Sequence, residues 1–166
     1  MTSKRLKVGY QMDTAQIKKA AQSLKIQSVN LQSAQTDSEE FVVFSQPEKN
    51  TTVRMGRGLA SFSRFELLDE EGKTIPAVNF IYQCGLKVVA EGQEGSETEE
   101  PTLISIKASF SALYLLKAKL SDECLKEFGH QNVPYHVWPY WREYAQSTLA
   151  RMGLNPLNIP FYLSPE

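Results

Sequence analysis

The stretch Leu103-Ile104-Ser105-Ile106-Lys107-Ala108-Ser109-Phe110-Ser111-Ala112-Leu113-Tyr114 alternates apolar and polar side chains more cleanly than any other part of the chain. Successive strand residues point to opposite faces, so Ile104, Ile106, Ala108, Phe110, Ala112 and Tyr114 share one greasy face. The other face is polar between its two terminal leucines. One dry face and one wet face is the pattern of an antiparallel sheet packed on a single side.

Working upstream, Val78, Phe80, Tyr82, Cys84, Leu86 and Val88 alternate with Asn79, Ile81, Gln83, Gly85, Lys87 and Val89, which predicts a second strand. A third is expected over 59–68, ended by the turn Asp69-Glu70-Glu71-Gly72-Lys73. In the run from Lys25 to Ala34, Ile26 is in one phase while Val29 and Leu31 are in the other. A bulge or a change of face accounts for that. The quartet Phe41-Val42-Val43-Phe44 reads as a short edge strand or an apolar plug. Residues 1–12 are expected to be disordered. Over 13–24, Asp13 and Gln16 suggest a capping box, and Ile17, Ala20, Ala21 and Leu24 recur at helical spacing.

Downstream of Leu116 the period changes. Ser121, Glu123 and Cys124 open a short helical turn that Gly129 is expected to end. The longest helix runs from about Pro134 to Met152, with Gly153 where a C′ glycine belongs. Val137, Trp141, Tyr144, Ala145, Thr148, Leu149 and Met152 form its stripe, and Trp138 and Tyr140 widen the apolar surface. Pro139 fits only near the helix start, because it lacks an N–H. The proline-bearing tail from Leu154 reads as extended. Strands followed by a long helix that covers the greasy face make an α+β layer architecture.

The 166 residues suffice for one domain with a real core, and a formal net charge of −1 argues against nucleic acid or an anionic membrane as partner. Lys4, Arg5, Lys7, Lys18, Lys19 and Lys25 outweigh Asp13 near the start. Glu91, Glu94, Glu97, Glu99 and Glu100 fill the segment 91–100, expected to be a flexible acidic hairpin loop. Solvation explains both groups. No apolar run is long enough to span a membrane, and the basic start lacks the apolar region of a secretory signal. Cys84 and Cys124, far apart in sequence, fit a reducing cytoplasm.

Signs of catalysis are absent. Cys124, His130 and His136 have a spacing that structural zinc sites seldom use, so no metal is expected. There is no Gly-x-Ser-x-Gly elbow and no Walker phosphate loop. In Met55-Gly56-Arg57-Gly58-Leu59 the glycines would let backbone approach a ligand, although a loop entering a strand is the commoner explanation. Phe62, Arg64 and Phe65 alternate too thinly for RNA binding.

Trp138-Pro139-Tyr140-Trp141-Arg142-Glu143 resembles the phenylalanine-proline-tyrosine-x-arginine-glutamate core that opens the long helix of SecB export chaperones. Arg151-Met152-Gly153-Leu154-Asn155-Pro156-Leu157 is similar to that family's arginine-glycine-glycine-phenylalanine-proline-proline-leucine, departing at Met152, Leu154 and Asn155. Ile106-Lys107-Ala108-Ser109-Phe110-Ser111-Ala112-Leu113-Tyr114 resembles a family strand that ends in a small-small-aliphatic-aromatic run. The likeness covers residues 24–163.

The resemblance implies a four-stranded antiparallel sheet with the long C-terminal helix packed on one face. It also implies a cytoplasmic homotetramer that holds unfolded or pre-secretory polypeptides in apolar grooves without ATP, cofactor or catalysis. The implied groove residues are Met55, Leu59, Tyr135, Trp138, Leu154, Leu157, Ile159 and Phe161. The expected oligomer interface is Ile106, Ala108, Phe110, Trp141 and Tyr144. Export members carry acids on the outer sheet face for the basic tail of the translocase motor. Here Lys107 stands at one such position, and neutral Ser28 and Gln32 match two others. The chain also ends without room for the family's second C-terminal helix. Both departures fit better a solitary SecB-like chaperone dedicated to the antitoxin of a toxin–antitoxin system. A small-ligand binder or enzyme on the same layers is the alternative of another class.

Overall fold

A computed structural model describes residues 14–39, 51–90, 101–154 and 157–162. Asp13, the quartet 41–44 and the acidic segment 91–100 lie outside them. Helix α1 (Thr14–Ser23) leads into β1 (Leu24–Ser38), followed by β2 (Thr51–Leu68), β3 (Thr74–Ala90) and β4 (Thr102–Leu116). Two helices then close the chain, α2 (Asp122–Gln131) and α3 (Val133–Arg151). The strands form one antiparallel sheet in the order β1-β4-β3-β2.

The alternation read from the sequence is the alternation of burial. Val78, Phe80, Tyr82, Cys84 and Leu86 of β3 and Ile104, Ile106, Ala108, Phe110, Ala112 and Tyr114 of β4 are all buried on the helix side. On α3 they meet Val137, Trp141, Ala145 and Leu149, at most 1% exposed. Phe80, Tyr114 and Phe128 pack ring on ring, Tyr114 standing edge-on to both others at 5.5 and 5.2 Å. Such pairs add to the burial of area.

Phase faults in the sequence mark bulges. The β1–β4 register shifts between Ile26 and Ser28, and again between Leu31 and Ser33. These shifts set Ile26, Val29, Leu31 and Ala34 opposite Tyr114, Ala112, Phe110 and Ala108 of the greasy face. A shift between Leu59 and Ser61 does the same in β2, so that Leu59 pairs with Tyr82 and Phe62 with Phe80. Gly56 and Gly58 lie within β2, eight residues longer than the expected 59–68, and not in a loop before it.

The helix boundaries obey capping chemistry. Ser121 Oγ accepts the Cys124 N–H at the start of α2. Arg64 of β2 fastens this start by donating to Asp122 and, at 2.8 Å, to the Leu120 carbonyl. At the end of α3 the Leu154 N–H reaches the Leu149 carbonyl and the Gly153 N–H the Ala150 carbonyl, both at 3.0 Å, with Gly153 at φ 76°. This is the Schellman arrangement that glycine favours. Pro139 lies deeper in α3 than a first-turn proline, so the Tyr135 carbonyl loses its helical donor there.

Gly129 does not end α2. It sits inside the helix, where a Cβ would come within 2.6 Å of Leu59 Cδ2 and 3.1 Å of Phe80 Cδ1. Glycine lets α2 lie directly on β2 and β3. Gly129→Val should therefore lower unfolding free energy by about 1–3 kcal/mol through overpacking. Urea denaturation should show Leu59→Ala recovering part of that loss in the double variant.

Candidate functional site

The α3 side chains Trp138, Arg142 and Gln146 are spaced four residues apart and so stand along one side of the helix. Each donates to a backbone carbonyl of the C-terminal segment. Trp138 Nε1 reaches Pro160 at 2.8 Å, Arg142 Nε reaches Ile159 at 2.9 Å and Gln146 Nε2 reaches Leu157 at 3.4 Å. The tail is thereby drawn along α3 in the opposite direction.

This pairing creates an aromatic ledge between α3 and β2. Tyr162 stands edge-on to Tyr135, with ring centroids 4.6 Å apart, and lies 5.8 Å from Trp138. The Arg57 guanidinium is 4.3 Å from the Tyr162 ring centre and 5.1 Å from that of Trp138. Arg142 covers Phe161 at 4.2 Å. Cation–π contacts of this kind hold rings in place.

Exposure sorts the predicted groove residues. Tyr135, Phe161 and Met55 present 46%, 74% and 44% of their surface to solvent. Leu59, Leu154 and Leu157 are half-buried against the core. Trp138 is buried and Ile159 fully so. These two are corrected from lining to support, because the tail's own backbone covers the tryptophan and Ile159 enters the core. The structure brings Tyr135 and Trp138 together around Tyr162, and sets Phe161 against Arg142. Leu59 sits lower, under Gly129.

The expected interface set needs a similar correction. Ile106, Ala108, Phe110 and Trp141 are at most 3% exposed within the single subunit, and only Tyr144 keeps partial exposure. β4 is a central strand under the helices, so its greasy face has no surplus to offer a second copy. Arg57, Arg142, Gln146 and Tyr162 were not singled out from the sequence as site residues. The four-residue spacing of Trp138, Arg142 and Gln146 was legible, but the carbonyls that they meet are not encoded by side-chain type.

Burial shifts the titratable groups near the ledge. Burial pushes the Cys84 thiol up to about 12, with Arg57 opposing weakly, so it is held as an inert thiol. Burial likewise raises Tyr82 and Tyr162. Tyr114 Oη lies 2.8 Å from His136 Nδ1, and burial lowers the histidine's pKa. Among the described residues no three His, Cys, Asp or Glu side chains converge as a metal site requires. No helix of the described residues is long and apolar enough to cross a membrane.

The layers define a class. An antiparallel four-stranded sheet backed by one long C-terminal helix is the SecB-like fold. One solved structure that carries it is that of the SecB-like chaperone Rv1957 of Mycobacterium tuberculosis, in complex with a ChAD peptide from the Rv1956 HigA1 antitoxin. It aligns at a TM-score of 0.67 with 18% sequence identity, over 92% of this chain and 99% of that one. At that identity the likeness is one of fold. No protein-family model and no curated protein matches the chain by sequence.

The His136 environment makes a pH prediction. A histidine whose folded pKa lies below its unfolded value binds protons more readily when unfolded, so stability rises with pH across that interval. Acidification from neutrality through about pH 6.5 should lower the melting temperature. His136→Gln should flatten this part of the curve in thermal melts at stepped pH.

Proposed function

We propose that this chain is an ATP-independent holdase that buries extended apolar segments of unfolded polypeptides on the exposed apolar surface of Tyr135, Phe161 and Met55. The observation that carries the reading is the ledge itself. Tyr135 on α3 and Phe161 beside it stand open, held by Tyr162 and Arg142, and Met55 is exposed on β2 two residues from Arg57, in a SecB-like fold. Apolar burial is non-directional, so such a surface accepts many sequences. A binder of the unfolded state alone opposes folding and aggregation by mass action.

The client class favoured is the antitoxin of a toxin–antitoxin system. The matched chaperone is described in complex with an antitoxin peptide. Lys107 adds a second reason, since it stands exposed on the sheet face away from the helices. A basic partner tail of the export type would be repelled there. The reading includes assembly of several copies, a tetramer by resemblance, through surfaces other than buried Ile106, Ala108, Phe110 and Trp141.

The test is suppression of light scattering by an aggregating, chemically unfolded protein, run beside a light-scattering mass. Each large side chain removed forfeits about 1.5–3 kcal/mol of burial with client. Tyr135→Ala with Phe161→Ala should therefore weaken holding at least about tenfold. Both side chains are exposed, so the melting temperature should move little. Undiminished holding by a folded double variant would refute the ledge as the client surface.

A further inference from the structure

On the sheet face turned away from the helices, three transverse rows can be read from the strand register. Gln35, Lys107, Gly85 and Gly56 are successive partners across all four strands. Beside them run Ser33, Ser109, Gln83 and Gly58 on one flank, and Asp37, Ser105, Lys87 and Arg54 on the other. The first two rows floor a depression of about 800 Å³. Lys107, Lys87 and Arg54 are exposed at or beside it, with Arg54 directly opposite Lys87. Two exposed lysines on one polar face favour a partner of opposite sign.

The local acid does not neutralise the two lysines. Asp37 is the one carboxylate in these rows, and its Oδ2 accepts from Gln35 Nε2 at 2.9 Å. Among the described residues neither Lys87 nor Lys107 has a carboxylate within ion-pair distance. Packing does not explain the open floor. None of Gly56, Gly58 and Gly85 has positive φ. A Cβ on Gly56 or Gly58 would meet nothing within 4 Å, and one on Gly85 only the Ile106 carbonyl at 3.7 Å. Glycine weakens a strand interior, and close approach by another molecule is one use for it there.

We infer that this basic trough is a second interaction surface, which docks an extended acidic segment of a partner polypeptide. The trough crosses three inter-strand spacings, about 14 Å, enough for about four extended residues. Ser33, Ser109, Gln83 and Gln35 supply hydrogen-bonding groups along it. No aromatic ring lines it, so it lacks the stacking platform of a single-stranded nucleic-acid groove.

The experiment uses the full chain and a fluorescein-labelled peptide of alternating glutamate and serine, with its lysine counterpart and a short single-stranded DNA as comparators, followed by anisotropy. The glutamate peptide should bind and the lysine peptide should not, with affinity falling steeply as salt rises. Lys107→Glu with Lys87→Glu should cost at least about tenfold and reverse the charge preference. Gly85→Val should block binding by filling the floor with charge unchanged. Gly56→Thr, which has open space above it, serves as the second such variant should Gly85→Val disturb folding. No binding of the glutamate peptide, equal binding by the folded floor-filling variants, or preferential binding of the DNA would each overturn the inference.

Discussion

A mismatch of lengths governs this molecule. β2 and β3 have 18 and 17 residues, and at about 3.3 Å per residue such strands are well over 50 Å long. α3 has 19 residues and, at 1.5 Å rise, measures about 28 Å. α2 adds one short segment of cover. The helices therefore bury the helix side of the central strands β3 and β4 and leave parts of the edge strands bare. Beyond Val29 every described residue of β1 is exposed, and β2 leaves Met55 and Arg57 open. An apolar border next to a covering helix follows from that geometry.

The tail converts this border into a shaped surface. An extended chain laid on a helix must satisfy its own carbonyls. Trp138, Arg142 and Gln146 do so with side-chain donors, which fixes the tail without a strand partner. Two of the three donors also take part in ring contacts, Trp138 under Arg57 and Arg142 over Phe161. Exposed Tyr135 and Phe161 flank these contacts.

Much of this was legible from side-chain type alone. The alternation at 103–114 identified the buried face of β4, and the conflicting phases of Ile26 and Val29 anticipated a register shift that the structure contains. The stripe of α3 named the residues that cover the sheet. Two errors share one cause. Ile106, Ala108, Phe110 and Trp141 were assigned to an interface, and Ile159 to a groove, because apolar character does not say which body supplies the cover. Strand order settled the first, since β4 is central. The entry of the tail into the core settled the second. Gly129 was misread for a related reason: a glycine in a helical pattern looks like a stop signal until the strand lying against it is known.

The two faces of the sheet are bound together by register. Lys107 and Ala108 are neighbours in β4, as Gly85 and Cys84 are in β3, yet one of each pair is in the core and the other faces out. A slip of one residue would carry Lys107 into the apolar layer and expose Ala108. Burial of a lysine without a partner is costly enough to forbid it. The aromatic packing of Phe80, Tyr114 and Phe128 that fixes the helix layer therefore also fixes where the outer charges stand. A client on the ledge and an acidic segment in the trough would lie on opposite sides of one sheet, so neither excludes the other by contact.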